Sequence, residues 1–296
     1  MEIRTIGKDD DEYPHRLEKL GDAPSTLRVW GKLIPVPLVA LVGTRKADSR
    51  MLRFTTELAT ELVTRDIGVI SGGALGIDTA AHEGALKGGG VTIAVLGSGM
   101  SQLFPKKNNE LFQKISTSGA VISEFPDCTP PSRWTFPKRN RLVAAMATAV
   151  IVIQAPLRSG AMITARISRE IGVPLGAVPG APTDPLATGC HQLIRGGAAL
   201  ISSAAEVIDL IGSDTYCQQL DLPQAVKQVM ESTDKAPPRL SSSEQQIWNQ
   251  LSQEATHIDD IALQTQLPMQ VVSEIVLNME LSGLIEDLGG RRFVRK

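Results

Sequence analysis

The sequence is short of the residues that usually announce a chemistry. It has three cysteines, Cys128, Cys190 and Cys217, far apart and without a C-x-x-C pair. That excludes a zinc ribbon and a disulfide framework, and it suits a reducing, cytoplasmic setting. The four histidines, His15, His82, His191 and His257, show no metal-ligand spacing, so neither metal nor cofactor is expected. No run of about 18 apolar residues occurs, so no membrane span is expected. The opening residues, MEIRTIGKDDDEYPHR, lack the apolar stretch of a secretory signal. The P-loop pattern G-x-x-x-x-G-K-[ST] is missing, as are G-x-G-x-x-G after the first strand and a G-x-S-x-G elbow. Aromatic residues make up only 4% of the chain.

What is present is an ordinary globular composition of 42% hydrophobic and 21% charged residues, which excludes disorder as the main state. A length of 296 residues suggests about two domains. The net charge is only −2, unevenly spread: 23 Lys and Arg stand against 20 Asp and Glu up to Gly212, and 7 against 12 beyond it. Tyr216 to Leu240 is polar and carries Pro223, Pro237 and Pro238, as a linker would. The expected division is a lead-in over 1–35, a body over 36–212, a linker over 213–240 and a tail domain over 241–296.

The body alternates short apolar runs with helical patterns. Strands are expected at Leu38–Val42, Gly68–Ser71, Thr92–Leu96, Ala120–Ser123, Ala149–Gln154, Leu175–Val178 and Ala199–Ile201. Helices are expected at Arg50–Thr64, Ile77–Lys87, Asn109–Ser116, Asn140–Ala147, Met162–Ile171 and His191–Ile194. Such alternation implies crossovers and a mostly parallel, doubly wound α/β sheet covered on both faces. Ligands of such sheets sit at the carboxyl ends of the strands.

Those ends are rich in glycine, hydroxyl and basic residues. They read Gly43-Thr44-Arg45, Ser71-Gly72-Gly73-Ala74-Leu75-Gly76-Ile77-Asp78, Gly97-Ser98-Gly99, Lys106-Lys107-Asn108, Lys138-Arg139-Asn140-Arg141 and Ser159-Gly160 followed by Thr164. Glycines let main-chain amides approach a ligand, and helix N-termini add partial positive charge, a combination that binds phosphate. Arg45, Lys106, Lys138, Arg139 and Arg141 add full charges. His82, one turn beyond Asp78, is a candidate to orient the Gly-rich turn or touch the ligand, and Asp78 is assigned to its own helix N-terminus. Glu124 stands without a second carboxylate at a telling spacing. The rim is equipped to hold a polyanion and lacks the groups for catalysis.

These motifs occur together and in order: Val42-Gly43-Thr44-Arg45, Ser71 to Asp78 with Ala81-His82, Ala94 to Gly99, Phe104-Pro105-Lys106-Lys107-Asn108, Ile122 to Pro126, Phe136 to Arg141, Ser159-Gly160 with Thr164-Ala165, and Val178-Pro179-Gly180. The set resembles the DprA family, also called Smf, the DNA-processing proteins of natural transformation, over roughly Tyr13 to Gly212. The resemblance implies an extended Rossmann-like domain that binds single-stranded DNA without cutting it, forms a homodimer and loads a RecA-type recombinase. It carries the basic pocket onto Arg45, Lys106, Lys138, Arg139 and Arg141, with main-chain amides of Gly43, Gly72 and Gly73. The family's usual acid after the fifth strand is Gln154 here, and its Ser-Gly-Ser-Leu is Ser159-Gly160-Ala161-Met162. Many members carry a helical domain ahead of the Tyr13-Pro14 segment, and only twelve residues precede Tyr13, so that domain is expected to be missing.

Among the aromatics near the rim, Phe125 and Phe136 are assigned to the core, and Trp134 is the candidate for stacking on a base. Neutralising about four phosphates of a single strand predicts a log–log salt slope of about −2.8. In the tail, Ser241-x-x-Glu244 forms a capping box ahead of a helix. Thr256 is read as the cap of a second helix, Met269–Leu281 as a third ended by Gly283, and Leu284–Leu288 with Arg291–Arg295 as a hairpin around Gly289-Gly290. That is a winged helix, similar to the domain many DprA members carry. Its third helix has no Lys or Arg, so a protein-contact or auxiliary role is favoured over duplex reading. The enzymatic alternative is a phosphoribohydrolase-like nucleotide-processing enzyme on a similar sheet. Its P-G-G-x-G-T-x-x-E motif is reduced to Pro179-Gly180-Ala181-Pro182-Thr183. A regulator acting through the winged helix is the third reading.

Overall fold

A computed structural model describes residues 2–212, 242–251, 256–265, 267–281, 285–287 and 292–295. The linker expected over 213–240, Cys217, and the Ser241, Gly283 and Gly289-Gly290 assignments lie outside the described residues. The chain divides into two compact units, Met1–Asp221 and Leu222–Lys296.

The first unit is built on a nine-stranded sheet. Its strands are β1 (Ile3–Gly7), β2 (Thr26–Gly31), β3 (Leu38–Val42), β4 (Gly68–Ser71), β5 (Thr92–Val95), β6 (Ala120–Ser123), β7 (Ala149–Val152), β8 (Leu175–Ala177) and β9 (Ala199–Leu200). Their order is β1-β2-β6-β5-β4-β3-β7-β8-β9. From β6 to β9 every pairing is parallel, while β2 runs antiparallel to β6 and β1 antiparallel to β2. The helices are α1 (Ser49–Val63), α2 (Ile77–Lys87), α3 (Asn109–Ser118), α4 (Thr135–Met146), α5 (Gly160–Glu170), α6 (Thr188–Arg195) and α7 (Ala204–Ile211).

Side chains alternate across β3, and both faces are buried, which is why its sequence reads as an unbroken apolar run. Val39 and Leu41 pack with Leu58, Leu62 and Ile77 of α1 and α2. Leu38, Ala40 and Val42 pack with Leu142, Val143 and Ala161 of α4 and α5. The expected α/β class and the strands β3 to β9 are thus present, some a residue or two shorter than their apolar runs.

Three features differ from the sequence reading. The lead-in supplies β1 and β2, and Tyr13 and Leu17 between them are buried. Helix α7, opened by a Ser203–Glu206 capping box, has no counterpart among the expected helices. Helix α4 begins at Thr135 rather than Asn140, so Lys138 and Arg139 are helical residues on the same helix as Arg141 and not part of the loop before it.

The second unit holds α8 (Ser242–Gln250), β10 (Thr256–His257), α9 (Ile258–Thr265), α10 (Met269–Leu281), β11 (Ile285–Asp287) and β12 (Arg292–Arg295). Thr256 lies in a short strand paired with β12 instead of capping a helix. Strands β11 and β12 pair antiparallel, as the hairpin pattern requires. Ile247, Leu251, Ile261, Val272, Val276, Met279 and Phe293 form this unit's own core.

Candidate nucleic-acid interface

The strand order reverses between β3 and β7. The chain leaves β3 toward α1 and β4 on one side, and leaves β7 toward α5 and β8 on the other. The two exits therefore diverge and open a crevice, the usual ligand position in such sheets. A cleft of about 370 Å³ lies there. It brings together Gly43, Thr44 and Arg45 from the β3 exit, Gly72, Ala74 and Asp78 from the β4 exit, Arg139 and Asn140 from α4, and Ser159, Gly160 and Thr164 from the start of α5. Ser71, Gly73, Gly76, His82, Lys106, Asn108, Lys138 and Arg141 do not line it.

The Gly-rich turn is held by its own side chains. Asp78, 7% exposed, accepts from the amides of Gly72 at 3.2 Å and Ala74 at 3.3 Å through Oδ2. The turn upstream, rather than helix α2 itself, is what this carboxylate binds. Ser71 Oγ donates to the Leu41 carbonyl at 2.6 Å, and Asn108 Nδ2 donates to the Gly73 carbonyl and to Thr79 Oγ1, both at 2.9 Å. Gly76 has φ +83°, and a Cβ there would stand 2.5 Å from the Thr44 carbonyl oxygen, so the turn closes tightly under the β3 exit. The Gly72 amide, assigned to a phosphate in the sequence reading, is bound by Asp78.

Helical spacing separates the three basic residues of α4. Lys138 and Arg141 are three residues apart and share a face. Both reach Glu124 at the β6 exit: Arg141 forms a close ion pair with it, and Lys138 Nζ stands 3.8 Å from Oε2. Arg141 Nε also lies 3.2 Å from Asp22 Oδ2. Burial pushes the Glu124 carboxyl upward, and Arg141 and then Lys138 pull it back.

Arg139 turns inward, 4% exposed, and donates to the carbonyls of Gly72 and Val95 and to Asn140 Oδ1. Burial lowers its pKa to about 10, opposed by Asp78 beside it, so it stays charged at neutral pH beneath the cleft. His82 is fully buried, its Nδ1 2.8 Å from Thr92 Oγ1. Thr92 gives its own hydroxyl proton to the Val69 carbonyl, so Nδ1 is the donor of the pair. Burial brings the His82 pKa down to about 3. It is a neutral interior residue at physiological pH.

Two family models match the chain. Residues 4–212 match DNA recombination-mediator protein A, and residues 231–291 match the DprA winged helix domain. The chain belongs to the DprA family. That family is one of DNA recombination mediators and not of enzymes. A putative DNA processing protein DprA of Mycobacterium tuberculosis is 36% identical over 97% of this chain and 76% of its own length. The X-ray structure of DprA from Streptococcus pneumoniae superposes with a TM-score of 0.67 at 38% identity, covering 70% of this chain and 73% of that one. DNA processing protein A from Helicobacter pylori, described for its single-stranded DNA binding mode, gives a TM-score of 0.65 at 30% identity over 72% of this chain and 97% of that one.

Residues that the sequence reading left aside also line the cleft. Lys46 and Arg158 line it, both exposed. Arg45, Lys46 and Arg158 make no ion pair among the described residues, unlike Lys138 and Arg141. Phe136, assigned to the core, is only half-buried. The Arg45 guanidinium carbon lies 5.1 Å over its ring, and the Phe104 ring is 5.9 Å away. A smaller cavity of about 70 Å³ adjoins the cleft, walled by Leu75, Phe104, Pro105 and Phe136. Lys106, next to Pro105 in sequence, is exposed and does not line this cavity. Phe125 is core, as expected, and Trp134 is 61% exposed with its ring edge-on to Phe125. At the far wall Ser159 Oγ caps α5 by accepting from the Met162 amide, and the Gly160 carbonyl accepts from Asn140 Nδ2. The first turn of α5 thus lines the same cleft as Arg45, Lys46 and Arg158. Among the described residues no group of three His, Cys, Asp or Glu could hold a metal ion, and no helix is long and apolar enough to cross a membrane.

Proposed function

We propose that this chain binds single-stranded DNA in the crevice between the β3 and β7 exits and delivers it to a RecA-type recombinase, acting as a cytoplasmic homodimer in transformation or recombination. One observation carries the reading. Arg45, Lys46 and Arg158, exposed and without carboxylate partners among the described residues, surround a helix N-terminus at the switch point, with Phe136 and a small apolar cavity beside them. Phosphates sit among the cations and the α5 amides. An unstacked base lies against Phe136, with Phe104 and Leu75 around it. A duplex keeps its bases stacked and paired, so only a single strand uses both cavities at once. The single-strand binding mode described for the Helicobacter pylori relative supports the same assignment.

Fluorescence anisotropy with labelled oligo-dT and a matched duplex, titrated with salt, tests the binding step. The single strand should bind more tightly, with a slope near −2 if about three phosphates are neutralised. No binding at low salt, or a preference for duplex, refutes it. Delivery is read separately, as acceleration of recombinase assembly on single-stranded DNA by the full chain.

A further inference from the structure

We propose that Gln154 is a positioning residue, whose side-chain amide bridges Asp48 and Asp184 and so holds the loop that presents Arg45 and Lys46 to the DNA. The inference rests on the single-strand reading of the cleft. Gln154 follows β7 and is 2% exposed. Its Nε2 donates to Asp48 Oδ2 at 2.8 Å and to Asp184 Oδ2 at 2.9 Å, which uses both of its hydrogens. Its Oε1 accepts from the Asp48 amide at 3.3 Å, and its main-chain oxygen accepts from the Thr44 amide at 2.7 Å. One residue therefore fastens both ends of the Thr44–Asp48 segment, and the two cations stand in the bow between.

The chemistry of the node requires an amide. Asp48 Oδ1 accepts from the amides of Arg50 and Met51 at the start of α1, and Asp184 Oδ1 accepts from the Leu186 amide. Each carboxylate has its other oxygen turned to Gln154, so the group between them must donate twice and carry no negative charge. A glutamate there would gather three carboxylates. The other charged or titratable groups around the node include Arg50, whose Nε lies 3.8 Å from Asp48 Oδ1, and His191, whose Nε2 is 3.0 Å from the Gly180 carbonyl. They also include Cys190, a buried thiol 3.6 Å from the Val152 carbonyl that burial, with Asp184 adding to it, pushes up to about 11, outside the tested range. The amide at 154 is thus matched by the two acids that flank it.

The test uses the full chain, oligo-dT anisotropy at fixed low salt from pH 5 to 8.5, and hydrogen exchange of the Asp48 amide without DNA. Wild-type affinity should vary little across this range. Gln154→Glu should bind about tenfold more weakly at pH 8, recover toward pH 5 as the added carboxyl takes a proton, and lose protection at the Asp48 amide. Adding Asp48→Asn should restore part of the affinity at pH 8, because an asparagine can cap α1 through its oxygen while its side-chain NH2 donates to the introduced carboxylate, which then faces only the Asp184 carboxylate. If Gln154→Glu fails to fold, Asp48→Asn alone should weaken binding severalfold, with the loss partly reversed in the double variant. Wild-type affinity at every pH together with a protected Asp48 amide overturns the proposal. Failure of the wild type to bind oligo-dT refutes the single-strand reading instead, and the exchange comparison still decides whether Gln154 holds the loop.

Discussion

The Arg139 guanidinium lies directly on Gly72. It donates to the Gly72 carbonyl, and a Cβ at position 72 would stand 2.5 Å from the guanidinium carbon. The first Gly of the turn is therefore a glycine because a buried arginine occupies the space beside it, and that arginine faces Asp78 within the same site.

Gly72→Ala should destabilise the first unit by about 1–3 kcal/mol, the usual cost of overpacking a filled site. Arg139→Leu should cost more, about 3–5 kcal/mol, since it leaves the buried Asp78 without its cation. Urea unfolding of the full chain checks both. An Arg139→Leu protein as stable as wild type would mean that Asp78 is not charged in the fold.

Arg45→Ala, Lys46→Ala and Arg158→Ala should weaken oligo-dT binding with little effect on stability. Each should flatten the log–log salt slope by roughly 0.7. A variant that lowers affinity at unchanged slope would act through loop geometry and not through a phosphate contact.

Arg141→Gln should behave in the opposite way. Glu124, its side chain 4% exposed, loses its closest cation, so the variant should unfold at lower urea. Its oligo-dT affinity, measured while folded, should stay within about twofold of wild type, because Arg141 does not line the cleft. A tenfold loss of affinity with normal stability would put Arg141 on the DNA.

His82 gives the fold an acid limb. Its folded pKa of about 3 lies below the ordinary value of 6.5, so its contribution is whole above pH 6.5 and is lost as pH falls toward 3. Asp78 and Glu124, both raised by burial, act with the opposite sign: their contribution is whole below the ordinary carboxylate range and fades as pH rises through their folded values. Urea midpoints of wild type and His82→Gln between pH 4 and 7 separate the terms. The difference between the two proteins should shrink steadily on acidification, and a constant difference would refute the assignment.

The sheet was legible because parallel strands covered on both faces are unbroken apolar runs, and Leu38–Val42 is one. Strands β1 and β2 were not: Thr26–Gly31 mixes buried Leu27 and Val29 with Arg28, and nothing local says which partner it pairs with. The rim was legible as a set of glycines and cations at strand ends. What the sequence could not show was which cations were already engaged. That depended on helix α4 starting early, which turns Lys138 and Arg141 toward Glu124 and Arg139 under the turn. Phe136 carries the same lesson, since an aromatic between apolar neighbours reads as core until the fold leaves one side of it open. Lys46 and Arg158 were visible as residues and gained meaning only when the strand order placed their two loops opposite each other.

The perch of Arg45 on Phe136 bears on how fast and how selectively the proposed site would seize a strand. A free arginine side chain surrenders about 2 kcal/mol of rotamer entropy when it is immobilised. Here a ring 5.1 Å below the charge favours one placement of it before any polymer arrives. In the proposed binding mode the aromatic would serve the phosphate as well as the base, so abasic stretches should still be gripped.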